Sequence, residues 1–182
     1  MKRRVVPTTA MMTESLEIDI SILCPAWVEA LPSVEGLCRR AALAAFYGEA
    51  RNNGETPVEA SLVLADDDFI RPLNKKYRGQ DKPTNVLSFA FRESNDASPG
   101  HPEQTPEMLG DIVLAFETAN SEASAGDKSL ADHLSHLIVH GMLHLLGYDH
   151  KTAPQARVME RLETRALARI DIAAPYKDIA LG

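Results

Sequence analysis

The 182-residue chain reads as an α+β sandwich. Three observations predict that class. Four short segments carry strand patterning, longer helix-forming segments lie between and after them, and neither a repeat nor a linker divides the chain. With 45% hydrophobic and 25% charged residues, the composition is that of a soluble globular domain able to bury a core without staples.

The opening Met1-Lys2-Arg3-Arg4 resembles the basic start of a signal peptide. Pro7, Thr8, Thr9 and Glu14 deny it the apolar stretch that would follow, so residues 1–14 are expected to be a flexible extension and 15–182 a single domain. From Leu16 to Ile22 apolar and polar residues alternate, which predicts a half-buried strand. Pro25 can begin a helical region that Pro32 interrupts. Val34 to Ala50 is rich in strong helix formers, and Asn52-Asn53-Gly54 should end that helix.

Val58 to Leu64 predicts a second strand. Asp66 or Asp67 then caps a short helix that carries Phe69, Ile70 and Leu73 to about Tyr77. A third strand is expected from Asn85 to Phe91, a surface loop over 93–107, and a fourth strand from Asp111 to Phe116. A helical patch from Glu117 to about Ala125 follows, then a long helix from about Ser129 to Leu146. Leu130, Leu134, Leu137, Ile138, Gly141 and Leu145 form its apolar stripe, and His133, His136, His140 and His144 an adjacent one. A helix apolar over most of its circumference is a buried one. Thr152 and Gln155 suit a capping box for the last helix, with Pro154 in its first turn and Val158, Leu162, Ala166 and Leu167 turned inward.

Bulk properties exclude several functions. No apolar run approaches the ~20 residues that span a bilayer. Cys24 and Cys38 supply no disulfide framework and read as buried free thiols, which fits a reducing cytoplasm. A net charge of −7 removes uniform attraction to nucleic acid, so any contact with RNA must be local and basic.

Five of the six histidines fall between residues 133 and 150. His140 and His144, four apart, project from one helical face toward a common point. Gly147 breaks the helix, and His150 can then swing back as a third ligand. Three neutral nitrogens with a vacant position describe a catalytic zinc site better than a structural one, although nickel, copper and cobalt also accept three imidazoles. The spacing matches the zincin peptidases, in which a glutamate after the first histidine is the general base. Here that position is Gly141, which weighs against peptide hydrolysis unless a remote carboxylate such as Asp111 or Asp149 substitutes. His136, one turn before His140, is a candidate partner or proton relay, and Asp149 a candidate for orienting a ligand imidazole.

The other dense segment runs from Asn74 to Phe89. Lys75, Lys76, Arg78 and Lys82 fall within eight positions and make the best candidate for a phosphate-facing patch in an acidic chain.

Four motifs together resemble the bacterial YbeY family. They are Asn74-x-x-Tyr77-Arg78, the run Asp81-Lys-Pro-Thr-Asn-Val-Leu-Ser-Phe89, Leu109-Gly-Asp-Ile112, and His140-Gly-x-Leu-His-Leu-Leu-Gly-Tyr-Asp-His150. The resemblance spans residues 58 to 176. It implies a small mixed four-stranded sheet packed on helices, one zinc ion held by His140, His144 and His150, and a functional arginine at Arg78. It further implies a single-strand-specific, metal-dependent endoribonuclease acting in maturation of the 16S ribosomal RNA 3′ end and in ribosome quality control. Ribosomal RNA, and small-subunit ribosomal proteins beside it, are the partners so implied. Ala90, where the family commonly has proline, and Gln80 depart from its pattern. A non-catalytic zinc-containing assembly factor is the remaining alternative.

Overall fold

The alternating segments become one mixed sheet, and the apolar helices cover it. The computed structural model describes residues 16–49, 58–91, 107–173 and 175–176. Its elements are β1 (Leu16–Ile22), α1 (Ala26–Ala30), α2 (Val34–Glu49), β2 (Val58–Ala65), α3 (Asp67–Arg78), β3 (Val86–Ala90), β4 (Glu107–Ala115), α4 (Phe116–Ala125), α5 (Leu130–Leu145) and α6 (Ala153–Ala168). The expected N-terminal extension, the Asn52–Gly54 helix stop and residues 93–106 of the expected loop lie outside the described residues.

The strand order is β1-β2-β4-β3, with β1, β2 and β4 parallel and β3 antiparallel to β4. Period-two patterning sorts side chains between two cores. Leu62 and Leu64 of β2 join Ile112 and Leu114 of β4 in the larger core beneath α2 and α5. Val113 and Ala115 face the opposite side, where Ile70 of α3 closes a smaller cluster. Trp27 of α1 is fully buried, donates its indole N–H to the Ala65 carbonyl at 2.9 Å, and meets Phe116 edge-on.

α5 packs against β3, β4, α2 and α6, so it is buried on most sides. It packs tightly on the sheet at Gly141, where an added Cβ would stand 2.9 Å from two carbons of Ile112 and 3.1 Å from Ser88 Oγ. A side chain there would have to displace the buried Ile112. Glycine at the position of the peptidase glutamate therefore suits the packing.

Capping follows the sequence. Asp66 accepts from the Phe69 N–H at 2.8 Å and Ser129 from the Asp132 N–H at 3.0 Å, and Thr152 and Gln155 form the capping box. Three expectations need correction. β4 begins at Glu107, four residues early, because a bulge between Met108 and Gly110 leaves Leu109 without a partner on β2 and breaks the alternation. Phe116 starts α4 rather than ending β4. Val158 is 37% exposed; the inward stripe of α6 is Met159, Leu162, Glu163, Ala166 and Leu167, and Val158 lies one residue outside it. Phe69, on α3, is likewise exposed.

Candidate metal centre and cleft

One helical turn separates His140 from His144 near the end of α5. Gly147 follows with φ +93°, a left-handed conformation that costs other residues ~1–2 kcal/mol. The Tyr148 N–H returns to the Leu143 carbonyl at 3.0 Å, closing the turn. His150 is thereby carried back to the other two rings. One ring nitrogen from each of His140, His144 and His150 lies within 4.8 Å of the others.

Hydrogen bonds decide which nitrogen each ring offers. His140 Nδ1 donates to Glu163 Oε1 at 2.7 Å, and His144 Nδ1 donates to the Tyr148 carbonyl at 3.0 Å. With one proton per ring, each Nε2 is left bare, and the two Nε2 atoms are 3.1 Å apart. Two lone pairs that close repel one another, and a cation between them reverses the sign. Nitrogens bound tetrahedrally to zinc at 2.0–2.1 Å would be separated by about 3.3 Å, so the pair fits such an ion. Burial, reinforced by the neighbouring His140, holds the His144 pKa below its ordinary value, which keeps the ring neutral and able to ligate.

Glu163 was not anticipated from sequence. It is 1% exposed and accepts from His140 Nδ1, from His136 Nε2 at 3.0 Å and from the Tyr176 hydroxyl. Burial pushes its pKa up, but the hydrogen bonds from His136, His140 and Tyr176 outweigh burial and bring it down to about 2. The anion fixes the tautomer and direction of His140, the usual task of a carboxylate behind a ligand histidine. The signal was present: an acidic residue in the apolar stripe of an amphipathic helix needs a buried partner. Tyr176, in irregular chain, gave no such signal.

His136 shares Glu163 with His140 and meets its ring edge-on at 6.5 Å between centroids, but does not line the cleft in front of the three rings. His133 pairs with Glu122 at 2.9 Å. Asp149 braces the turn rather than a ring: Oδ1 accepts from the His150 backbone N–H at 2.8 Å, and Oδ2 pairs with Lys151 at 2.8 Å. The bond to Lys151, then that to the backbone, lowers its pKa.

The cleft has a volume of about 580 Å³. His140, His144 and His150 line it together with Tyr77 and Arg78 from the end of α3 and Phe89 from β3. The two dense sequence segments thus meet across one cavity. The basic turn is less positive than its composition: Asp81 pairs with Arg71 at 2.9 Å and with Lys75 at 2.7 Å. Among the described residues Arg78 has no carboxylate partner. Asn74 is buried and donates to the Lys82 carbonyl at 2.7 Å, tying the turn to α3. Ala90 also lines the cleft, while Asp111 does not. Among the described residues no helix is long and apolar enough to cross a membrane.

Comparison with known proteins agrees with this architecture. The family described as endoribonuclease YbeY matches residues 37–171. Proteins named endoribonuclease YbeY from Paramagnetospirillum magneticum and Rhodospirillum rubrum are similar. The first is 51% identical over 91% of this chain and 98% of its own length; the second is 47% identical over 84% and 77%. A relative of the same name from Rhizobium etli is 46% identical over 89% of this chain and 94% of its own. Among solved structures, the solution structure of TM1509 from Thermotoga maritima shares the fold. Its TM-score is 0.51 at 21% identity, over 89% of this chain and all of that one.

Proposed function

The chain belongs to the YbeY family of endoribonucleases, and from that premise we propose a zinc-dependent, single-strand-specific endoribonuclease whose metal ligands are His140, His144 and His150. The observation that supports this most directly is the convergence of the three rings, with the Nε2 atoms of His140 and His144 3.1 Å apart, on a cleft shared with Arg78. Bound there, zinc supplies Lewis acidity toward a phosphoryl oxygen and a water whose pKa falls toward ~7.

The remaining steps belong to side chains. Arg78 holds the scissile phosphate, since a planar guanidinium can address two oxygens at once. Glu163 keeps His140 oriented and is spent in doing so: with three donors to satisfy and a pKa of about 2, it accepts no further proton near neutrality. Asp149 is similarly engaged. Glu163 is therefore closed to the role of a peptidase base, Asp149, which lines the cleft, is held by Lys151 and the His150 N–H, and a side chain at position 141 would have to displace Ile112. That argues for phosphodiester over peptide hydrolysis. The substrate of this reading is ribosomal RNA, at the 16S 3′ end and in ribosome quality control, with small-subunit proteins as partners. The compartment is the cytoplasm, where buried free thiols such as Cys24 and Cys38 persist.

Arg78→Ala should abolish cleavage of a single-stranded RNA while zinc content stays at one per chain. Unchanged cleavage would remove Arg78 from the reaction. Chelation should abolish cleavage in the parent protein, and added zinc should restore it; an unfolded protein offered as substrate should remain intact.

A further inference from the structure

Aromatic residues are scarce in this chain, with one Trp, four Tyr and five Phe among 182 residues, yet three of them, Tyr77, Phe89 and Tyr148, line the cleft. Tyr77 is 57% exposed and directly precedes Arg78 at the end of α3. Phe89 of β3 meets it with ring centroids 4.8 Å apart and planes at 63°. Phe89 supports the Tyr77 ring from the sheet, so the pair forms a braced platform rather than a loose side chain.

We propose that Tyr77, braced by Phe89, is a stacking subsite for one unpaired base, and that this subsite imposes the requirement for single-stranded RNA. The proposal rests on the reading of the cleft as the place of RNA cleavage. Three observations carry it beyond that reading. Tyr77 and Arg78 are consecutive and line the same cavity, so a phosphate on the guanidinium brings its own nucleotide beside the ring. Charge alone is a weak anchor here, because the chain is acidic overall and Asp81 neutralises Arg71 and Lys75. Stacking supplies sequence-tolerant affinity where charge does not. Finally, a base within a duplex has both faces covered by its neighbours, so only an unpaired base can offer a face to the ring.

The test uses the full-length, zinc-loaded protein with a single-stranded RNA containing 2-aminopurine, the same RNA in a duplex, and one with an abasic position. Binding is read by 2-aminopurine quenching and cleavage by steady-state kinetics. Tyr77→Ala should weaken binding and raise KM by ~10-fold, leave kcat near the parent value and abolish quenching, with zinc content unchanged. Tyr77→Phe should restore all three, and the abasic RNA should bind the parent protein as poorly as the intact RNA binds Tyr77→Ala. The proposal is overturned if Tyr77→Ala keeps KM within twofold, if Phe does not rescue, or if the duplex binds as tightly as the single strand. A parent protein that quenches 2-aminopurine but cleaves no RNA would sink the nuclease reading and leave the stacking subsite standing.

Discussion

Replacing Glu163 removes the one acceptor shared by His140, His136 and Tyr176. Without it, the proton on His140 Nδ1 has no partner, and the ring is free to rotate or to move its proton to Nε2, the atom offered to the metal. Loss of a carboxylate behind a ligand histidine typically weakens metal binding 10–100-fold, which corresponds to ~1.4–2.8 kcal/mol. Glu163→Ala also leaves up to three donors unpaired at about 1–3 kcal/mol each where they stay buried, so part of its effect will be on folding. Glu163→Gln keeps the shape and one carbonyl oxygen; it should remain folded and bind zinc about tenfold more weakly. Competition with a chromogenic chelator measures the affinity, and the downfield Nδ1–H resonance of His140 reports whether its tautomer is kept. If folded Glu163→Gln and Glu163→Ala both bind zinc within twofold of the parent protein, Glu163 does not orient the ligand.

Gly141→Ala forces a methyl to within 2.9 Å of Ile112, itself fully buried. Chemical denaturation should show a loss of about 1–3 kcal/mol, and an unchanged midpoint would refute the close-packing account of this glycine. Burial, then the charge of Glu35, pushes the Cys38 thiol from 9.0 up to about 12. Its folded pKa lies above its unfolded one, so this contribution to stability is complete below pH 9 and lost as pH rises toward 12. In a Cys24→Ser background the thiol should resist a disulfide reagent at pH 8 and react at once in denaturant; fast labelling of the native protein would contradict its burial.

Much of the fold was readable because the signals were local. Strand alternation at Leu16–Ile22 and Val58–Ala65, the Asp66, Ser129 and Thr152 caps, and the helix-breaking Gly147 are each written within a few residues. The three histidines were legible for the same reason, since an eleven-residue stretch carries them. What escaped depends on partners distant in sequence. The first residues of β4 are hidden by a bulge defined only against β2. Glu163 is set against His140 by the packing of α6 on α5, a contact between residues 23 apart. Val158 was misplaced by a single residue, and on a helix that step turns a side chain through about 100°. Of the four cations of the basic turn, Asp81 pairs with Lys75 alone, and it also binds Arg71 one turn earlier on α3, a pairing that shows only once the helix and the turn are folded together.

The lone tryptophan gives the protein a built-in witness to its own integrity. Trp27 is sealed from water, hydrogen-bonded to the end of β2 and set edge-on against Phe116, and it is absent from the walls of the histidine cleft. Its emission should therefore be blue-shifted and indifferent to chelators or oligonucleotides, and should move to the red only when sheet and helices part. A variant that loses zinc or RNA while that colour holds has been altered at its working surface; one whose colour shifts has come apart.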